Sequence, residues 1–224
     1  MPRIARFVWP GLPHHVTQRG NRRGPVFFSD ADYQTYLSLL REYSTQHEVE
    51  VLAYCLMPNH VHLILIPVAK NSLALSLRRV HTRYAQRINR SMQWKGHLWQ
   101  GRYFSSVLDE HHCWAAIRYV ERNPLRARMV AKAEDYPWSS ARAHCGHRQD
   151  PLLTRNDRWL QQIEGIGDWS AWLAESDDEN MVDALRRSAR RGLPCGSDEF
   201  VNRLEWTSGR RLQERRRAKG VRPL

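Results

Sequence analysis

Apolar residues fall along the first half of this chain in two alternating periods, and the order of those periods outlines a fold. His15 to Gln18 reads as a first strand and runs into a glycine-flanked basic loop, Gly20 to Gly24. Ser29-Asp30-Ala31-Asp32 is a helix start. Tyr33, Tyr36, Leu37, Leu40 and Tyr43 follow at helical spacing and predict an amphipathic helix over 30–46. Val49 to Met57 reads as a strand, Pro58-Asn59 as a turn, and His60 to Pro67 as a second strand of β-branched and aliphatic residues. So tight a connection predicts a hairpin. After Asn71-Ser72 a second helix is expected over 72–90, carrying Leu73, Leu75, Leu77, Val80, Tyr84 and Ile88 together with Arg78, Arg79, Arg83, Arg87 and Arg90. A last strand is expected near Gly101 to Leu108. Strand, helix, strand, strand, helix, strand is the split β-α-β order of ferredoxin-like α+β folds.

The next segment, His111 to Pro124, predicts a helix that stops at the Asn123-Pro124 step, because the residue before proline is pushed out of helical geometry. Trp114, Ile117 and Val120 make its buried stripe, and Tyr119 and Asn123, four apart, share a neighbouring face. Leu125 to Val130 is expected as a short helix and Asp135 to Ser140 as a turn opening another. From about residue 150 the character changes to short tryptophan-bearing helices, an acidic patch at Asp177-Asp178-Glu179 and a basic helix from Asp183 to Arg191. The division expected is a catalytic or binding domain over 1–148 and a helical, basic extension over 149–224. The arginine-rich end at Arg215, Arg216 and Arg217 is either a DNA-binding element or a solvated tail.

Charge narrows the class of partner. The chain has 35 Lys+Arg against 23 Asp+Glu, a formal +12, and the excess is mostly arginine. The planar guanidinium suits phosphates and exposed bases, so nucleic acid outranks an acidic membrane surface. Cys55, Cys113, Cys145 and Cys195 are far apart, with no C-x-x-C pair and no secretory signal ahead of them, which reads as reduced thiols in a cytoplasmic protein. No apolar run approaches a membrane span, so a soluble protein is expected.

Candidate chemistry centres on the histidine strand. Strand side chains alternate, so His60 and His62 share one face. They are either two ligands of one metal or a polar pair on a half-exposed strand. Tyrosine is a poor nucleophile at neutral pH, but beside a divalent ion holding a scissile phosphate it can attack phosphorus. Tyr119 is the candidate nucleophile and the Asn123 side-chain oxygen a candidate third ligand. Such a neutral set leaves room for water and phosphate oxygens, which suits Mg²⁺ or Mn²⁺ bound with substrate. Arg19, Arg22, Arg23, Arg83, Gln100 and Arg102 are candidate DNA contacts. Trp99, in a stretch that interleaves aromatics with donors, is either a base-stacking surface or plain core.

Four motifs in order, Met57-Pro58-Asn59-His60-Val61-His62-Leu63, Leu98-Trp99-Gln100-Gly101-Arg102-Tyr103, Tyr119-Val120-x-x-Asn123-Pro124 and Tyr136-Pro137-Trp138-Ser139-Ser140, closely resemble the REP-associated tyrosine transposases. These are the domesticated branch of the IS200/IS605-like single-tyrosine transposases of the HUH superfamily. The resemblance covers about residues 1–145. It implies a ferredoxin-like, RRM-like antiparallel sheet with helices on one face, cutting and rejoining single-stranded DNA at REP-type hairpins. It implies Tyr119 as the residue that keeps the 5′ end as a phosphotyrosine, and His60, His62 and Asn123 as metal-binding positions. Both monomers and homodimers are compatible with it. A reading of another class is a non-catalytic RRM-like module that binds hairpins and has no use for Tyr119 beside Asn123.

Overall fold

The computed structural model describes residues 6–156, 159 and 165–213. Strands β1 (His14–Arg19), β2 (Val49–Met57), β3 (His60–Pro67) and β4 (Phe104–Val107) form one sheet in the order β2-β3-β1-β4, every neighbouring pair antiparallel. Helices α1 (Asp30–Gln46) and α2 (Ser72–Ser91) make the two crossovers, which completes the ferredoxin-like order. The two-residue turn Pro58-Asn59 fixes the β2–β3 register, with Met57 opposite His60 and Cys55 opposite His62.

Alternation along the strands divides the residues between two faces. Val61, Leu63 and Leu65, with Val16, Tyr54 and Leu56, pack under α1 and α2 against Tyr36, Leu40, Leu77 and Tyr84. His60, His62 and Ile64 point the other way. The expected helices on one face are α1 and α2, but the opposite face is not left to solvent. Helix α3 (Glu110–Glu121) lies across it and sets Cys113, Ala116, Ile117 and Val120 against Ala53, Cys55 and Ile64. The reason is in β2, buried along nearly its whole length on both faces, so that cover is needed on both.

α3 opens on Asp109, whose carboxylate accepts from the His112 amide at 2.8 Å. It closes at Arg122, and a one-turn helix, α4 (Asn123–Arg126), follows through Pro124. Beyond these lie α5 (Ala141–His144), α6 (Trp169–Ala174), α7 (Glu179–Arg191) and α8 (Asp198–Ser208). Residues of α6 and α7, among them Trp169, Leu173, Val182 and Leu185, share the buried cluster of α3. Three arginines spaced four apart fasten the two segments together. Arg118 reaches Glu175 at 3.3 Å, Arg122 reaches Asp177 at 3.1 Å and also donates to the Leu173 and Glu175 carbonyls, and Arg126 reaches Asp177 at 3.5 Å. Glu121, fully buried, accepts from the Trp169 indole at 2.8 Å and from the Ser140 hydroxyl, and lies 2.6 Å from His144 Nδ1.

The free edge of β2 is paired rather than exposed. Leu56 N donates to the Trp138 carbonyl at 2.9 Å and Ser140 N to the Tyr54 carbonyl at 3.0 Å, so the Tyr136-to-Ser140 motif caps the sheet edge. No helix among the described residues is long and apolar enough to cross a membrane.

Candidate active site

His60 and His62 project from β3 toward α3, their ring centroids 5.0 Å apart. α3 brings Tyr119 edge-on to His62, with centroids 5.6 Å apart and planes at 79°. Tyr119 is 8% exposed. Three of the four residues singled out for chemistry are thus brought together by one strand and one helix.

Each histidine is anchored through Nδ1. His60 Nδ1 lies 2.6 Å from Asn59 Oδ1, and the Asn59 amide is itself oriented by Nδ2 donating to the Arg23 carbonyl at 2.9 Å. His62 Nδ1 lies 2.8 Å from Nε2 of a third histidine, His15 of β1. The Asn59 turn rests on Gly20, whose amide donates to the Asn59 carbonyl at 2.9 Å. A Cβ on Gly20 would fall 2.3 Å from the Gly24 carbonyl oxygen and 2.7 Å from Val26, so only glycine fits.

Burial keeps these imidazoles neutral. It holds His15 and His60 down at about 4 and His62 well below its ordinary value; Arg19 pushes His60 further the same way, and His15, His60, Arg126 and Arg19 push His62. Neutral imidazoles are the ligand form of histidine. The Nε2 atoms of His60 and His62, with Nδ1 taken, are the nitrogens left to meet an ion.

Asn123 stands one turn beyond Tyr119, but its Oδ1 accepts from Arg126 Nη2 at 2.9 Å. A carbonyl oxygen has a second lone pair, so the amide still fits a ligand role while Arg126 holds it. Arg126 also donates to the Tyr119 carbonyl at 3.0 Å and lies 3.9 Å from the centre of its ring, a cation–π contact. The Arg186 guanidinium of α7 lies 5.9 Å from the centre of the same ring. Among the described residues no group of three or more His, Cys, Asp or Glu side chains is placed to hold an ion. An ion here would therefore draw on the Asn123 amide or on substrate oxygens.

The candidate DNA contacts divide. Arg19, opposite His60 in the β1–β3 register, lines a groove of about 500 Å³ with Gln100, Arg102, Arg191 and the half-exposed Phe104. The groove thus begins beside the histidine pair. Arg22 and Arg23 are exposed on the loop that orients Asn59, while Arg83 is exposed on α2, across the sheet from the site. Trp99 is core: 8% exposed, its indole donates to the His81 carbonyl at 3.1 Å and its ring packs on Tyr36, Tyr84 and His81. It has no face open for a base. Arg215, Arg216 and Arg217 lie outside the described residues.

Sequence reasoning missed His15, Arg126 and Arg186. Arg126 was within reach, since it falls three residues after Asn123 on the same face. His15 was not, because its place beside His62 depends on the β1–β3 register.

A histidine pair on a central antiparallel strand, met by a tyrosine from a helix laid across it, defines the HUH class of single-tyrosine DNA-cleaving enzymes. The comparisons with known proteins narrow the class. The chain belongs to the IS200-like transposase family, whose model matches residues 10–123, just over half of the chain. A REP-associated tyrosine transposase solved bound to a REP hairpin has a similar fold, with a TM-score of 0.55 at 19% identity over 70% of this chain and 93% of that one. A protein of Deinococcus radiodurans R1 described as a candidate transposase gives a TM-score of 0.38 at 23% identity over 55% of this chain and 97% of that one. No curated protein matches the chain.

Proposed function

We propose that this transposase-family enzyme cuts and rejoins single-stranded DNA at the foot of REP-type hairpins through Tyr119. The Tyr119 oxygen attacks phosphorus and loses its proton. The bond from phosphorus to the 3′ oxygen breaks, that oxygen takes up a proton, and the 5′ end stays on the enzyme as a phosphotyrosine. Rejoining reverses the step with a 3′-hydroxyl as nucleophile. The observation that carries this reading is Tyr119 set edge-on to His62, 5.6 Å between ring centres, on a helix clamped to the sheet. His60 Nε2, His62 Nε2 and Asn123 Oδ1 would hold Mg²⁺ or Mn²⁺, which when bound polarises the scissile phosphate. Arg126 steadies both the tyrosine and the amide, and the Arg19, Gln100, Arg102 and Phe104 groove gives a flexible strand a basic, partly aromatic track to the site.

The hairpin specificity rests on the family and on a structural neighbour solved with a REP hairpin. The test is incubation of a hairpin oligonucleotide with protein and Mn²⁺. A covalent protein–DNA adduct is expected from the native chain and none from Tyr119→Phe. An adduct that survives Tyr119→Phe sinks the assignment, and so does no adduct under any metal condition with a verified substrate. Hairpin binding without adduct, unchanged by chelator, would favour the non-catalytic module.

A further inference from the structure

His15 is a polar residue with one polar contact and a position that fits one task. It is 1% exposed on β1, its ring stacks on His62 with centroids 5.1 Å apart and planes 17° from parallel, and Tyr119 meets it edge-on at 5.9 Å. Its Nε2 is 2.8 Å from His62 Nδ1, while its own Nδ1 is buried without a partner. An apolar ring there would carry no unpartnered nitrogen, so packing alone does not account for a histidine.

Two ring nitrogens at this distance share one proton, so one donates and the other accepts. If His15 donates, the His62 proton sits on Nε2, where it blocks a ligand. If His62 donates, Nε2 is bare. The neighbouring ring resolves the choice by example. Asn59 Oδ1 can only accept, and its orientation is fixed by the donation of Nδ2 to Arg23, so neutral His60 carries its proton on Nδ1. A pair that acts on one ion needs both rings in that tautomer.

We propose that His15 is a positioning residue that accepts from His62 Nδ1–H, holding His62 in the tautomer and orientation that turn a bare Nε2 toward the reacting centre. His15 then does for His62 what Asn59 does for His60, the two acceptors coming from different strands. The inference rests on the reading of His60 and His62 as ligands, in which groups that orient a ligand histidine strengthen binding without touching the ion.

The experiment is a long-range ¹H–¹⁵N spectrum of the histidine rings in the full chain, paired with Mn²⁺ titration in the presence of a hairpin oligonucleotide. His60 and His62 are expected as Nδ1–H tautomers in the native protein. His15→Gln, whose Oε1 also accepts, keeps the His62 tautomer. His15→Leu moves His62 to Nε2–H and weakens Mn²⁺ binding by roughly 10- to 100-fold. His62 found as Nε2–H in the native protein overturns the proposal, as does His15→Leu with tautomer and affinity unchanged. If native protein with hairpin DNA binds no Mn²⁺, the ligand reading fails, and the native spectrum still decides what His15 does.

Discussion

Acid should unfold this protein earlier than its charge balance implies, because histidines are buried as neutral rings. His14 and His15 are held down at about 4 and His81 at about 3, in each case chiefly by burial. The rings sit among partners that suit neutral imidazole: His14 Nε2 accepts from the Trp9 amide at 3.2 Å, and His81 Nε2 lies 3.1 Å from the Tyr36 hydroxyl. Free histidine titrates near 6.5, so between about pH 6.5 and about pH 4 the unfolded chain binds protons that the folded chain refuses. Stability therefore rises with pH across that window and is lost as pH falls through it. Going from about pH 8 to about pH 5 costs about 2 kcal/mol per ring, or about 6 kcal/mol for the three, and His62 adds to it with the same sign. Since a domain's whole stability is about 5–15 kcal/mol, that loss is decisive. Urea unfolding followed by tryptophan fluorescence at the two pH values measures it, and His81→Gln should remove about 2 kcal/mol of the pH dependence. A stability at about pH 5 within about 1 kcal/mol of that at about pH 8 would mean the rings are charged or solvated in the fold, and the reasoning fails.

Gly20→Ala should destabilise by about 1–3 kcal/mol and slow strand cleavage, because the new Cβ displaces the turn that aligns Asn59 and His60; thermal melts and adduct yield read the two effects. Glu121→Ala strips one partner from a buried polar cluster and should cost about 3–5 kcal/mol in denaturant titration; a change under about 1 kcal/mol would show that the cluster does not clamp α3. Trp99→Ala should cost about 3–5 kcal/mol as a core truncation, read by denaturant titration, whereas Arg102→Ala should flatten the salt dependence of hairpin binding.

Much of the sheet was readable because hydrophobic period and turn chemistry agree. The helix expected over 30–46 is Asp30–Gln46, the strand from Val49 to Met57 has those limits, and the second helix, expected over 72–90, ends one residue later at Ser91. Alternation alone places His60 and His62 on one face, since a period of two leaves no choice. What neighbours that face is a different kind of fact. His15 reaches His62 because β1 pairs with β3 with Thr17 opposite His62, and a slip of one residue would turn His15 into the other core. Trp99 shows the converse limit. An indole amid donors is compatible with base stacking or with burial, and only the His81 carbonyl waiting inside decides it. The cover over the second sheet face was legible in principle, since β2 is apolar at consecutive positions rather than at alternate ones.

The charges around Tyr119 explain why this site suits a phosphate better than a lone cation. Arg19 and Arg126 both act on His62, and Arg186 lies near the tyrosine ring. The nearby acids face elsewhere. Glu121 is turned into the core toward Trp169 and His144, and Asp177 is divided between Arg122 and Arg126, which leaves the arginines in excess. Two neutral imidazoles in such a field would hold a lone divalent ion weakly, because the ion would meet repulsion with no carboxylate to offset it. A DNA phosphate would reverse the balance: the arginines would attract it, and it would bring the negative oxygens that an ion needs. On the proposed reading, ion and strand would bind as one unit, with Tyr119 beside the phosphate they bring.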